Sequence, residues 1–261
     1  MSKIKPEISV SAPWLQTQCE ILVRVALIHE LSPQVKEFAL TPVAGGQLPT
    51  FSAGSHVSVN LTLDGEIKSK PYSLTSHPDH RDHYRIVVGR GTSVGGVSSF
   101  MHDSATVGMT LQISAPMGGM ALALDAEKHV FIAGGMGVTP FLSHCAALAD
   151  ADDDYELHYS TRTAAEAIFT KTLAQSMPAN RFYSYTSREG RRLDVHALMA
   201  TQPPVTHFYV SGPRALVEAV IAAAQTLGLP ACHIHFERSM EIAPELSHYI
   251  NDWRKFELVV G

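Results

Sequence analysis

The chain has 261 residues, 45% of them apolar and 17% charged, enough for one large domain or two ordinary ones with their own cores. Its 20 Lys and Arg against 25 Asp and Glu leave a formal charge of -5, so it carries no basic footprint for nucleic acid or an anionic membrane. No stretch approaches the ~18 apolar residues of a membrane span, and the three cysteines, Cys19, Cys145 and Cys232, fit neither a disulfide framework nor a metal site; a cytoplasmic protein without membrane or metal is expected.

Residues 1–18 read as an N-terminal tail. From there to about residue 125 the runs EILVRVALIH, VKEFAL, HVSVNLTL, HYRIVVG and TLQIS are short, rich in Val, Ile and Leu, and separated by Gly, Pro and Asp-Gly signals. That alternation predicts an antiparallel β-barrel or sandwich over residues 19–125. Within it, KPYSLTSHP at 70–78 places Lys70, Tyr72 and Ser73 at the end of a strand. A core strand favours Val and Ile there, so the set suits a small polar ligand.

The next segment, GTSVG at 91–95, matches G-x-S-x-G and follows a strand, as a hydrolase nucleophile elbow does. Ser93 would be the nucleophile, and Asp194 with His196, His207, His233 or His235 would complete a triad in the expected order. Against this alternative, the preceding strand is half polar, no HGGG-type segment lies upstream, and the earlier strands lack crossover helices.

From about residue 128 the rhythm changes to apolar strands, such as HVFIAGG, YELHYS and HFYVSG, each followed by a helical stretch, such as PFLSHCAALA or RALVEAVIAAAQTLG. Strands alternating with helices predict a doubly wound parallel sheet over residues 126–238, with ALDAEKH as the boundary. Gly134, Gly135 and Gly137 lie between strand and helix, with Thr139 and Pro140 opening the helix. Such a turn lets backbone approach a pyrophosphate, although Pro140 stands where G-x-G-x-x-G has its third glycine. The next strand ends in Ser160, Thr161 and Arg162 rather than an acid; an acid favours NADH, whereas hydroxyls with Arg suit a 2'-phosphate.

Taken in order, KPYSL, GGVSS, AGGMGVTP, VSGP and HFER resemble the ferredoxin-reductase-like flavoproteins, and within them the phthalate dioxygenase reductase and vanillate demethylase reductase group. The resemblance covers Cys19 to Arg238. It implies a flavin-binding barrel followed by an NAD(P)-binding domain, with hydride passing from nicotinamide to flavin and electrons leaving to an iron-sulfur acceptor that serves a Rieske-type oxygenase. It also implies that Tyr72 covers part of the isoalloxazine, that Ser73 and Leu74 address the flavin edge, and that Lys70, in place of the usual Arg, faces the flavin phosphate as a point charge. Gly95, Gly96, Val97, Ser98 and Ser99 resemble the second flavin segment.

By the same resemblance Gly135, Gly137, Thr139, Pro140, Ser160, Thr161, Arg162, Gly212 and Pro213 hold the nucleotide. Ser211 stands where many relatives have Cys, Ser239 where they often have Phe, and Ser73, Ser211 and Glu237 are expected at the reacting atoms. FMN is preferred over FAD, and NADH over NADPH, which stays open. The group continues into a [2Fe-2S] domain needing a C-x4-C-x2-C set that this sequence lacks; residues 239–261, ending in FELVVG, read as a linker and the stub of that domain. A flavin-binding regulator without turnover is the remaining alternative.

Overall fold

The structure, a computed structural model, describes residues 20–91, 95–151 and 153–236. The alternating runs form six antiparallel strands, β1 (Glu20–Ser32), β2 (Val35–Pro42), β3 (His56–Leu63), β4 (Glu66–Ser73), β5 (Tyr84–Gly89) and β6 (Thr110–Ser114), hydrogen-bonded in the order β4-β3-β6-β1-β2-β5. The two end strands meet. Leu74, just past β4, bridges Ile86 of β5, and the Thr75 amide donates to the Arg85 carbonyl at 2.9 Å. The sheet therefore closes into a barrel.

Period-two alternation decides what fills it. Val23 and Val25 of β1, Val57 and Val59 of β3, and Ile86 and Val88 of β5 are fully buried around Phe38, Leu40 and Tyr84. Each such side chain is worth about 1.5–3 kcal/mol relative to exposure. Helix α1 (Val97–Asp103) lies between β5 and β6 and is pinned by His102. The His102 ring Nε2 lies 2.9 Å from the Val88 carbonyl, and Lys36 Nζ donates to the His102 carbonyl at 2.7 Å.

The second half alternates β7 (Lys128–Gly134), α2 (Thr139–Ala151), β8 (Tyr155–Thr161), α3 (Thr170–Ser176), β9 (Phe182–Thr186), α4 (Val195–Ala200), β10 (Thr206–Ser211), α5 (Arg214–Leu227) and β11 (Ile234–Phe236). All pairings are parallel, in the order β11-β10-β7-β8-β9. From His129 to Gly134, β7 is buried throughout, because helices cover both faces. Phe131 and Ala133 pack with Phe141 and Leu173 of α2 and α3, while Val130 and Ile132 pack with Met199 and Val220 of α4 and α5. The order reverses at β7, so the sheet's switch point lies at the carboxyl ends of β7, β8 and β10.

The boundary expected at residue 125 falls in the connection between β6 and β7. The two halves pack together: the core on the α2 and α3 face takes in Val35 and Val87 of the barrel and Met120 of the connection. The tail at 1–18, the stub at 239–261, Ser93 and Glu237 lie outside the described residues. Among the described residues, no helix is long and apolar enough to cross a membrane.

Candidate active site at the seam of the two domains

Strand pairing sorts the residues of KPYSL onto two faces. Opposite β3, Lys70 pairs with Val59 and Tyr72 with Val57, so both share one face of β4, buried in the barrel at Tyr72 and exposed at Lys70, whereas Ser73 pairs with His56 on the other. Tyr72 is consequently 7% exposed and part of the barrel core. Its hydroxyl lies 2.9 Å from Ser98 Oγ, which also accepts a 2.6 Å hydrogen bond from Lys70 Nζ. Burial pushes the Tyr72 phenol up from its ordinary value, with the Ser98 hydrogen bond opposing, so the phenol is neutral at physiological pH.

This cluster adjoins the Gly95-Gly96 turn. Lys68 Nζ donates to the Gly95 carbonyl at 3.0 Å, and Ser99 Oγ both accepts the Gly96 amide and donates to the Gly96 carbonyl. Among the described residues Lys70 has no carboxylate partner. An unneutralised ammonium beside a serine hydroxyl and a glycine turn is a donor set that fits a phosphate. Val97, by contrast, is buried in the barrel core. A cleft of about 340 Å³ continues past the turn, bordered by Asp64 and Asp103.

Leu74 is fully buried, and its amide donates to the Ser55 carbonyl at 2.8 Å. Two donors are left at the strand end among the described residues, the half-buried Ser73 hydroxyl, which makes no hydrogen bond, and the buried Thr75 hydroxyl. His56 was missed by the sequence reading; it stands opposite Ser73 and exchanges backbone hydrogen bonds with Met117. A histidine opening a strand after Ala-Gly-Ser was its only signal.

On the other side of the seam, the glycine turn between β7 and α2 is pressed against the end of β10. A Cβ at Gly137 would lie 2.3 Å from the Ser211 carbonyl oxygen, and one at Gly134 would lie 2.6 Å from Pro213 Cδ. These two glycines are therefore required by protein packing. Gly135 differs: it has φ +56° and open space around it, which is the room a ligand needs. Pro140 is buried and Thr139 Oγ1 donates to the Met136 carbonyl. Ser211 is 6% exposed, at the strand end beside Gly212 and Gly137. Met136 reaches across toward the barrel, where a Cβ on Gly89 would lie 3.9 Å from Met136 Cγ. The structure thus gathers the glycine turn, Ser211 and Pro213 at one strand end.

Ser160, Thr161 and Arg162 lie farther along that edge. Thr161 is buried and its hydroxyl donates inward to the Thr163 carbonyl at 3.1 Å. Arg162 is exposed and its Nε donates to Glu166 at 3.2 Å. Of the hydrolase alternative, Asp194 accepts the Ala197 amide at 2.9 Å and caps α4.

Comparison with known proteins decides the family. A model described as "Oxidoreductase FAD-binding domain" matches residues 22–122, and one described as "Dimethylamine monooxygenase subunit DmmA-like, N-terminal domain" matches residues 114–234. The carnitine monooxygenase reductase subunit of Escherichia coli (strain K12) is 41% identical over 83% of this chain and 67% of its own. The chain belongs to the flavin-dependent reductase subunits of oxygenase systems. The vanillate O-demethylase oxidoreductase of Pseudomonas putida is 34% identical over 80% of this reductase and 65% of its own length. Among solved structures, phthalate dioxygenase reductase superposes with a TM-score of 0.73 at 25% identity, over 84% of this reductase and 68% of that chain. The reductase spans about two thirds of the length of these relatives.

Proposed function

We propose that this reductase carries FMN, takes hydride from NADH, and passes electrons one at a time to a [2Fe-2S] partner that serves an oxygenase. The observation that carries the reading is the Lys70-Ser98-Tyr72 cluster beside Gly95 and Gly96. When bound, the flavin supplies the chemistry that links a two-electron donor to a one-electron acceptor.

The chain's own residues bind and orient. Lys70 neutralises the flavin phosphate and Ser98 receives its oxygen, while Tyr72, held by Ser98, forms the wall beside the ring. The Ser73 hydroxyl donates at the flavin edge. Gly135 and Thr139 receive the dinucleotide pyrophosphate at the switch point, and Ser211 with Gly212 and Pro213 borders the nicotinamide. The barrel spans residues 19–125 and the nucleotide domain residues 126–238.

The test is the anaerobic visible spectrum of the purified protein before and after NADH or NADPH, with the released cofactor identified by mass. A yellow protein bleached by NADH and releasing FMN supports the reading; one that stays colourless after incubation with FMN and FAD overturns it.

A further inference from the structure

The proposed reaction leaves one proton to be placed. Hydride brings two electrons and a proton to the flavin, whereas an iron-sulfur acceptor takes electrons alone, so the proton left on flavin N5 needs an acceptor each turnover. On the inner side of the flavin strand Lys70 donates to Ser98, and burial raises the Tyr72 phenol, so neither accepts a proton at neutral pH. His144 of α2, beside Gly54, is buried and pushed down to about 4.

His56 stands differently, because it opens β3 directly opposite Ser73. Its amide and carbonyl are exchanged with Met117 at 3.1 and 2.8 Å, and the neighbouring Leu74 amide donates to Ser55 at 2.8 Å. His56 and Ser73 are thus a non-hydrogen-bonded pair of the ladder, the kind whose side chains stand closest, with Cβ atoms about 4.5–5.5 Å apart on one face. Both residues are half-buried, and neither side chain makes a hydrogen bond or ion pair among the described residues. Along the same face the pairs Ser58-Pro71, Asn60-Ser69 and Thr62-Ile67 carry no charge, and the neighbour on the β6 side is Met117. An uncommitted imidazole, open to solvent, therefore lies within reach of the hydroxyl at the flavin edge.

We propose that His56 is the proton acceptor of the reductase. As the two electrons leave one at a time for the iron-sulfur partner, the N5–H bond breaks and its proton passes to Ser73 Oγ. The Ser73 hydroxyl proton passes to an imidazole nitrogen of His56, and the ring releases it to solvent. The inference rests on the reductase reading above, with Ser73 at the flavin edge.

The experiment follows the two half-reactions separately by anaerobic stopped flow, with ferricyanide as the one-electron acceptor, in the wild type, His56→Gln, Ser73→Ala, the double variant and Glu237→Gln. Reduction by NADH delivers its own proton, so His56→Gln is expected to keep that rate within about twofold while reoxidation slows about tenfold or more. Wild-type reoxidation is expected to slow toward acid pH, because a protonated imidazole accepts nothing, and to lose that dependence in His56→Gln. Since His56 acts through Ser73, the double variant is expected to reoxidise no more slowly than Ser73→Ala. Independently of turnover, the His56 ring resonances, assigned by their loss in His56→Gln, are expected to shift when FMN is added to the flavin-free protein. Equal slowing of both half-reactions, an acid limb that survives His56→Gln or disappears in Glu237→Gln alone, or ring resonances that ignore bound flavin each overturn the proposal. Failure of both NADH and NADPH to reduce the flavin would instead remove the reductase reading itself.

Discussion

Ser143, one turn into α2, accepts the buried amide of Gly54 at 2.9 Å, joining the nucleotide domain to the barrel across 89 residues of sequence. Gly54 has φ +79°, and a Cβ there would lie 2.2 Å from Nε2 of His144, the next residue of α2. The segment held in this way leads directly into His56 and β3, opposite Ser73. The contact therefore ties α2, which follows the glycine turn, to the segment that opens β3.

Removing that hydroxyl strands a buried donor. Ser143→Ala is expected to lower stability by about 1–3 kcal/mol, a fall of several degrees in melting temperature for a protein of this size. Gly54→Ala, strained at positive φ and crowded by His144, is expected to lose more than about 2 kcal/mol. Thermal unfolding of both variants checks the pair; an unchanged Ser143→Ala transition would show that the hydrogen bond contributes nothing.

Lys70 donates to Ser98 beside the Gly95-Gly96 turn, and no carboxylate neutralises it among the described residues. Lys70→Ala is expected to weaken flavin binding by about ten- to a hundredfold, the worth of one charge-assisted hydrogen bond, with the barrel still folded. Lys70→Arg is expected to recover most of it. Equilibrium flavin titration against circular dichroism separates loss of the anchor from loss of the fold.

With the Leu74 amide bound to Ser55, the Ser73 hydroxyl is the less buried of the two donors remaining at the strand end. Ser73→Ala is expected to slow flavin reduction by NADH about ten- to a hundredfold, chiefly in the limiting rate. Stopped-flow reduction under anaerobic conditions reads this directly, and a rate unaltered within twofold would assign the donor role elsewhere.

Acid sensitivity follows from buried groups in the nucleotide domain. Burial pushes the His144 imidazole down to about 4, and burial with the neighbouring His207 and His233 pushes His235 down to about 3. The unfolded chain takes up these protons near 6.5, so between 6.5 and those values it binds more protons than the folded protein, and stability falls as pH falls. Glu156 adds to this lower down. Although burial raises it, the hydrogen bonds from His158 and Lys128 hold it at about 2 against 4.5 when unfolded, so its stabilisation is present above 4.5 and lost toward 2. Urea midpoints are expected to drop steadily from pH 7 to pH 4, and His144→Leu is expected to flatten that slope; a variant with the wild-type slope would discount His144.

Much of the fold was legible because periodicity is a local property. Alternating Val and Ile in EILVRVALIH and HVSVNLTL have one face to bury, and the continuous run HVFIAGG has two, so a barrel followed by a covered parallel sheet could be read before any contact was known. The glycine turn and KPYSL were likewise visible as residue types in an order that a structural strand does not need.

What each residue does inside those motifs was not legible, because it depends on register and on partners far along the chain. Tyr72 shares its face with Val57 and sits in the barrel core under Ser98, and Leu74 gives its amide to Ser55; neither follows from the string KPYSL. Two of the three glycines in AGGMG are required by the end of β10, about 75 residues away, and only Gly135 opens onto free space.

The sequence by itself determined the two-domain class and the family, since these rest on composition, period and short ordered motifs. Tertiary structure alone decided that Arg162 pairs with Glu166, that Ser143 holds Gly54, and that Lys70 reaches Ser98. The physical reason is that hydrogen bonds and charge pairing act over a few ångströms, and strand pairing and helix packing, rather than sequence separation, decide which groups come within that range.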